Sequence, residues 1–230
     1  MSNELRANKF PWAAAVLAFF ALGIAGYAIA FYLTGSPLSS GFIQGKKYYQ
    51  DFHPTTVWTW ALVTHVAGGS VALITGALQW IVARLAWRRT SPARFRRFHI
   101  VTGVLYAGSI LAGAIGGFVL APQAMGGWVA SLGFGLLDFC WVAATFMAVF
   151  LGNKVRKSGN GADMVTLRRR HRGWMLRSYA LTSAAITLRL WLPIFTALLG
   201  LDFVASYLVI AYLCWVPNLV VAEIIARRRY

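Results

Sequence analysis

The fold is decided by residues 57–83, VWTWALVTHVAGGSVALITGALQWIVA, which contain no Asp, Glu, Lys or Arg. A helix of about 20 mostly apolar residues can cross the hydrocarbon core of a bilayer, because each residue adds about 1.5 Å to its length. This stretch therefore predicts a membrane-spanning helix. Similar runs lie on both sides of it, and together they predict six spans, over residues 11–33, 57–83, 100–121, 128–151, 174–199 and 203–226.

The composition indicates the same class of protein. Of the 230 residues, 59% are hydrophobic and 12% are charged, whereas a soluble domain has about 25% charged residues. Such a chain has too little polar surface to cover a soluble globule. We therefore predict an all-α, polytopic membrane protein that forms a single transmembrane domain over residues 1–230.

The basic residues predict how the chain threads through the membrane. Of the 22 Lys and Arg residues, 19 lie in the N-terminal tail, in two segments (residues 84–97 and 154–177) and in the C-terminal tail. The other side of the membrane has only Lys46 and Lys47, and Arg189 lies inside a span. Since loops rich in Lys and Arg are retained in the cytoplasm, we expect both termini to be cytoplasmic and the chain to form three outward hairpins. Topology and contacts with anionic lipid headgroups then explain the net charge of +16, and no nucleic-acid partner is predicted.

Small and polar residues recur along one face of four predicted helices. In lipid, such residues let helices approach closely and hydrogen-bond to each other. We therefore expect these four seams to face one another. They include His65, Gly69, Ala72, Gly76 and Gln79 in the second span, His99, Gly103, Tyr106, Gly113 and Gly117 in the third, Asp138 and Thr145 in the fourth, and Ser178, Thr182 and Arg189 in the fifth.

Two ionisable residues are predicted to lie near the middle of the bilayer. Asp138 and Arg189 each lie about 15–17 Å from the outer end of their spans, and an isolated charge at that depth is costly. The two residues could form a static ion pair between the fourth and fifth helices. Alternatively, they could form a substrate, proton or quinone site, which His65 would extend toward the outer surface.

Two prolines predict interruptions in the last two spans. A proline inside a helix displaces the carbonyl group four residues earlier, so Pro193 should kink its helix at Arg189 and Pro217 should do so at Leu213. Interrupted helices at the bilayer midplane form the binding sites of many transporters.

Two histidines are predicted to share a depth near the cytoplasmic face. His99 opens the third span and His171 precedes the fifth. Two imidazoles on different helices could ligate a b-type haem, and Arg97 and Arg177 could hold its propionates or other anionic groups. The alternative is that both histidines are interfacial residues inside basic segments. The sequence has no Cys-x-x-Cys motif and no acidic cluster, so we predict no metal site other than a haem iron held by His99 and His171.

Residues 171–182, HRGWMLRSYALT, and the continuation to Arg189 carry a resemblance to a known family. On these residues the chain resembles the predicted membrane proteins called domain of unknown function 2306. The resemblance implies a bacterial polytopic membrane protein, brings no assigned reaction, and singles out His65, His99, His171, Trp174, Arg177 and Arg189. Two other stretches contribute to it: His65 with Gly68, Gly69, Ala72, Gly76 and Gln79, and Arg97 with His99, Gly103 and Tyr106.

Three functional hypotheses follow for a multi-pass protein of the bacterial cytoplasmic (inner) membrane. The first is a small redox or electron-transfer protein, with a b-type haem or quinone bound by His99, His171, Arg97 and Arg177 and a proton-accessible core of His65, Asp138 and Arg189. The second is a secondary transporter or channel with a midplane site at Asp138 and Arg189. The third is a non-catalytic accessory or assembly subunit that binds a membrane-protein partner or a second copy of itself. The sequence leaves open whether the protein is an enzyme.

Overall fold

A computed structural model describes residues 11–33, 41–85, 92–158 and 162–229. These residues are mostly helical, and no strand occurs among them. Five helical stretches are long and apolar enough to cross a membrane: Thr56–Val82, Ala93–Gln123, Gly127–Lys157, Ala162–Leu198 and Phe203–Arg229. A shorter apolar helix covers Ala18–Tyr32. The all-α class is confirmed, and the five long apolar helices are consistent with a polytopic membrane protein.

The helices of the described residues are numbered in chain order. They are α1 (Pro11–Ala28), α2 (Gly41–Gln50), α3 (Thr56–Leu85), α4 (Pro92–Leu120), α5 (Gly127–Lys157), α6 (Ala162–Thr182), α7 (Ala184–Pro193), α8 (Phe203–Leu213) and α9 (Val216–Arg229). Turns of π-helix extend α1 over Ile29–Leu33 and α7 over Ile194–Leu198, and a 3-10 turn follows α4 at Ala121–Gln123. Glycines in the left-handed conformation precede α5 and α8, namely Gly126 (φ 92°) and Gly200 (φ 65°).

Three helices continue beyond their predicted spans into the basic segments. α4 begins at Pro92 rather than at residue 100, α5 ends at Lys157 rather than at 151, and α6 begins at Ala162 rather than at 174. Lys and Arg are good helix formers, and their long side chains reach polar surroundings while the backbone stays helical. Basic residues in the last turn of α5 also interact favourably with the helix dipole. Hydropathy locates the apolar centre of such a helix but not its ends.

Helices α3 to α6 form a four-helix bundle. α3 packs against α4, α4 against α5, α5 against α6, and α6 closes the ring by contacting α3. α1 packs on the outside of α3, α8 on α5, and α9 on α6. Consequently α4 and α6 face each other across the bundle. We call the end at which α3 and α5 finish and α4 and α6 begin the arginine-rich end.

Glycines allow α3 and α4 to pack at close range. A Cβ atom at Gly68 of α3 would lie 2.7 Å from the backbone nitrogen of Gly113 on α4, and one at Gly116 would lie 2.9 Å from the backbone nitrogen of His65. Neither position can accept a side chain without moving a helix. On the predicted seams themselves, a Cβ at Gly103 would lie 3.4 Å from Nε2 of Gln79 and one at Gly113 would lie 3.4 Å from the backbone nitrogen of Gly69. The predicted seams of α3 and α4 therefore face each other.

The two predicted proline interruptions have different outcomes. α8 ends at Leu213, and a turn at residues 214–215 separates it from α9, so the interruption expected from Pro217 is confirmed. The kink expected at Arg189 is misplaced, because Arg189 lies within the regular part of α7. The backbone departs from α-helix at Ser183 and after Pro193 instead, where the π-helical turn accommodates the change.

Candidate functional site

The structure brings His99 and His171 together at the arginine-rich end, and we call these two side chains the histidine pair. His99 comes from α4 and His171 from α6, and their ring centroids lie 6.1 Å apart with the ring planes at 89°. Nδ1 of His171 lies 2.8 Å from the carbonyl oxygen of Ala148. Since a carbonyl oxygen only accepts hydrogen bonds, Nδ1 is the donor, and in the neutral ring the free lone pair is on Nε2.

Helix periodicity explains why the two histidines meet. His99 lies seven residues before Tyr106, and His171 lies seven residues before Ser178. Seven residues are about two helical turns, so His99 lies on the same face of α4 as Tyr106, and His171 lies on the same face of α6 as Ser178. Tyr106 and Ser178 are hydrogen bonded across the bundle at 2.8 Å. Gly152 of α5 leaves room for the His171 ring, because a Cβ there would lie only 3.2 Å from Nδ1 and Cε1.

The donor set of the histidine pair fits the axial ligands of a haem. Metal–imidazole bonds are about 2 Å long and the ring centroid lies about 1 Å further out, so two imidazoles on opposite sides of one metal ion have centroids about 6 Å apart. Histidine ligands also usually donate their second N–H to a carbonyl or carboxylate group, as His171 does to Ala148. The described residues contain no group of three or more His, Cys, Asp or Glu side chains that could hold a bare metal ion. A macrocycle would supply the four remaining ligands.

The two arginines predicted to hold the anionic groups of a cofactor, Arg97 and Arg177, do not contact the histidine pair in the described contacts. Nε of Arg177 donates to Oε2 of Glu223 on α9 at 2.7 Å, and the second guanidinium contact with that oxygen is 2.6 Å. The Arg177 guanidinium also lies 4.9 Å from the ring centroid of Trp174. Arg97 is exposed. The structure therefore directs Arg177 toward α9, and these contacts do not place it on the histidine pair.

Buried hydroxyl groups connect α4, α5 and α6 in the middle of the bundle. Tyr106 Oη lies 2.8 Å from Ser178 Oγ and 2.9 Å from Thr182 Oγ1. Thr145 Oγ1 lies 2.7 Å from Ser178 Oγ, and Trp141 Nε1 donates to Thr182 Oγ1 at 2.9 Å. We call these five residues the hydroxyl network. All of them except Trp141 lie on the seams that the sequence predicts, and the i, i+4 spacing of Trp141 and Thr145 is the signal that would have included it.

His65 and Asp138 lie against the same turn of α4 from different helices. Nδ1 of His65, on α3, donates to the carbonyl oxygen of Gly113 at 2.8 Å. Asp138 of α5 is 4% exposed, and a Cβ at Gly117 would lie 2.7 Å from its Cγ. Within the described residues this carboxyl group has neither an ion pair nor a hydrogen-bond partner. The glycines of α4 thus make space for both side chains.

Arg189 does not pair with Asp138, and the ion pair suggested by their common depth is therefore absent from the described residues. One terminal nitrogen of the Arg189 guanidinium donates to the carbonyl oxygen of Ala185 at 2.8 Å. Depth along the membrane normal does not fix the direction of a side chain around its helix. Asp138 faces α4, whereas Arg189 is within electrostatic range of three tyrosines on the α1 and α8 segments, Tyr27, Tyr32 and Tyr207.

One lysine is buried, although its burial was not predicted from the sequence. Lys46 lies on α2, a helix that the sequence did not predict, and is 2% exposed. Its Nζ donates to the carbonyl oxygen of Gln123 in the turn after α4 and lies 4.5 Å from the ring centroid of Phe52. Burial lowers the pKa of Lys46 to about 8. The burial of Ile43 one turn earlier on α2 shows which face of this short helix packs inward.

Comparison with known proteins gives one informative result. A family model described as a predicted membrane protein, DUF2306, matches residues 62–226. The match includes the histidine pair, the hydroxyl network, Asp138 and Arg189, and it confirms the resemblance found in the sequence. Searches of curated proteins and of solved structures find no match.

Proposed function

We propose that this chain, which belongs to the DUF2306 family of predicted membrane proteins, is a small membrane electron-transfer protein that binds a b-type haem between His99 and His171. The observation that carries the proposal is the 6.1 Å separation of the two imidazoles, together with the hydrogen bond from His171 Nδ1 to Ala148. That hydrogen bond leaves Nε2 as the ligating atom and fixes the ring.

The chain's own residues would orient and enclose the cofactor. A bound haem would supply a one-electron couple. His99 and His171 reach the site from opposite helices of the bundle, as cofactor ligands in helical bundles commonly do. Because both rings are half-buried, the neighbouring helices would partly exclude water from the site. Exposed Arg97 is free to turn toward a propionate, whereas Arg177 is held by Glu223.

The same proposal includes a topology and a location. The chain would cross a bacterial cytoplasmic membrane six times, with α1 as the first crossing, both termini in the cytoplasm and three outward hairpins. The concentration of basic residues at the arginine-rich end supports this orientation. Arg6, Lys9, Arg88 and Arg89, which count toward that charge, lie outside the described residues.

The visible spectrum of the purified protein tests the haem. Protein from haem-replete cells, purified in mild detergent, should show a Soret band and a sharp reduced α band, because two imidazoles give a low-spin haem. His99→Ala and His171→Ala should each abolish or change the spectrum, and His171→Met should keep a haem with a higher potential.

Two matched histidine variants are controls. The side chain of His53 is 89% exposed, and His65 bonds to Gly113 instead, so His53→Ala and His65→Ala should keep the pigment. Colourless protein that carries an extractable quinone would exclude haem and assign the quinone as ligand. Colourless protein with neither group would overturn the redox proposal.

A second candidate function rests on Asp138. A buried carboxylate without an ion pair is costly in a bilayer, so a carboxyl group in this position favours a neutral, protonated form. We propose as the alternative that Asp138 carries a proton in a secondary transporter. The absence of an Asp138–Arg189 ion pair among the described residues supports it, since Arg189 would otherwise keep the carboxylate ionised.

Proton flux into proteoliposomes tests this alternative. With an imposed pH gradient, vesicles containing the natural chain should acidify faster than vesicles containing Asp138→Asn, because the amide cannot carry the proton. Asp202→Asn is the matched control: Asp202 is exposed and caps α8 by accepting from the backbone nitrogen of Ala205, and Asn caps helices equally well. Equal flux through the natural chain and Asp138→Asn would rule the role out.

A further inference from the structure

A pocket of about 260 Å³ opens between α6 and α9 at the arginine-rich end. We call it the α6–α9 pocket. Its polar lining is formed by the four arginines Arg169, Arg170, Arg177 and Arg227, and Trp174 forms part of its apolar lining. Since the histidine pair lies between α4 and α6, this pocket is a separate site that the proposed electron transfer does not use.

One carboxylate holds two of the four guanidinium groups in place. Oε2 of Glu223 accepts from Arg177, and Oε1 accepts from Nε of Arg227 at 2.7 Å. Each arginine has five N–H donors, so both keep donors for a further acceptor after binding Glu223. Because their side chains are already ordered, less conformational entropy is lost when a ligand binds.

The other two arginines leave the pocket with an excess of positive charge. Arg169 and Arg170 are exposed, and in the described part of the chain neither has an ion-pair partner. Four guanidinium groups therefore face one carboxylate. Gly173 and Ala226, which are small and buried, also line the pocket, and its volume of about 260 Å³ can admit a group of atoms rather than a single water molecule.

The chemistry of the lining selects the ligand. Planar guanidinium groups match the geometry of phosphate oxygens and bind them with two hydrogen bonds each. The pocket also lies where α6 changes from basic to apolar, with Trp174 beside it, and tryptophan concentrates at the depth of lipid headgroups. Basic pockets between membrane helices are suited to anionic headgroups.

We propose that the α6–α9 pocket binds a phosphate oxyanion, either the headgroup of an anionic phospholipid or a soluble phosphate. Arg169 and Arg170 supply the attraction, and the Glu223-ordered Arg177 and Arg227 supply directed hydrogen bonds.

The test uses the full chain in nanodiscs of phosphatidylcholine. One arm replaces part of the lipid with phosphatidylglycerol, and the other adds inorganic phosphate to the neutral nanodisc. Binding is followed by the shift in thermal unfolding midpoint and by native mass spectrometry. Stabilisation by both probes assigns a site open to soluble phosphate, and stabilisation by phosphatidylglycerol alone assigns a lipid headgroup. Either result supports the phosphate site, and no response to either probe overturns it.

A pair of charge-matched variants separates the pocket from general surface charge. Arg169→Gln with Arg170→Gln should weaken binding of the effective probe at least about tenfold, as expected for the loss of charge-assisted hydrogen bonds. Arg156→Gln with Arg168→Gln removes the same charge from exposed positions outside the pocket and should change binding less than about twofold. Equal losses in the two double variants would overturn the proposal. The haem spectrum should be the same in both double variants. Failure of the phosphate-site proposal is therefore distinguishable from failure of the proposed redox function.

Discussion

At the scale of single residues, Lys46 shows how burial changes the behaviour of a charged side chain. Its amine lies between the carbonyl oxygen of Gln123 and the ring of Phe52, and burial lowers its pKa to about 8. An unfolded lysine has a pKa of about 10.4. Between these two values the unfolded chain binds more protons than the folded chain, so the free energy of unfolding rises with pH. Below about pH 8 both states are protonated and this contribution is flat.

Replacing Lys46 should remove that pH dependence. Near neutral pH, Lys46→Gln should raise the free energy of unfolding, because it removes the buried charge whose desolvation lowers the pKa of Lys46. As the pH rises from about 8 to about 10, the natural chain should gain stability relative to the variant. Thermal unfolding in detergent at several pH values measures this difference. Lys47→Gln, on the same helix, is the control, and a constant gap between the natural chain and Lys46→Gln would contradict the assignment.

The residues of the candidate site were predictable where helix periodicity determines them. The histidine pair and four members of the hydroxyl network lie on seams that can be read from spacing alone. Arg189 and Lys46 were not predictable, for two different physical reasons. The direction of Arg189 depends on which helices surround α7, and the burial of Lys46 depends on a contact with Gln123, which lies 77 positions away in the sequence.

At the scale of elements, the break between α8 and α9 shows how a membrane protein provides hydrogen-bond partners for the backbone of an interrupted helix. The carbonyl oxygen of Cys214 accepts from Thr187 on α7 and from Nδ2 of Asn218 on α9. Asn218 also donates to the carbonyl oxygen of Ala180 at 3.3 Å. Because lipid offers no hydrogen bonds, backbone groups freed at a helix break need other partners, and here side-chain donors supply them. The break itself follows from Pro217, whereas its partners on α6 and α7 are long-range contacts that the sequence does not reveal.

Removal of the Thr187 hydroxyl should destabilise this break. Thr187→Val should lower the free energy of unfolding by about 1–2 kcal/mol, since it deprives the Cys214 carbonyl of a donor and the Asn218 amide of an acceptor. Thr196→Val is the matched control, because in the described part of the chain the hydroxyl of Thr196 donates only to the carbonyl oxygen of Leu192, within its own helical segment. Denaturation in mixed micelles compares the two. If both variants lose the same stability, the contact between Thr187 and the turn after α8 has no special importance.

At the scale of the whole molecule, the ends of the bundle differ in charge and in how they are joined. At the arginine-rich end, α6 and α9 are connected by the Glu223 ion pairs. At the opposite end, the contact between Lys46 and Gln123 joins the segment before α3 to the turn after α4. The long apolar helices correspond to five of the six predicted spans, and a shorter apolar helix lies at the first. The extension of α4, α5 and α6 into the basic segments could not be predicted from hydropathy, because hydropathy detects only the apolar part of a helix.

Reporter fusions test the orientation proposed for the molecule. A cytoplasmic reporter fused after Tyr230 should be active, and a periplasmic reporter inserted at residues 41–44 should be active, because basic segments are retained in the cytoplasm. A cytoplasmic reporter within residues 88–97 should agree with the first. Activity of a periplasmic reporter at Tyr230 would reverse the orientation and move the histidine pair to the outer side.

The hydroxyl network has a direction. Thr182 Oγ1 donates to the carbonyl oxygen of Ser178, and Thr145 Oγ1 donates to that of Trp141. Each threonine has one hydroxyl proton, so each accepts from its other neighbours, and Ser178 donates to Thr145. Tyr106 also has one proton, so it donates to Ser178 or to Thr182 but not to both at once. Every sequence of donors that begins at Tyr106 or Trp141 thus ends on a backbone carbonyl, which has no proton to pass on. The network braces three helices, and its donors form no continuous relay past the backbone carbonyls of Trp141 and Ser178.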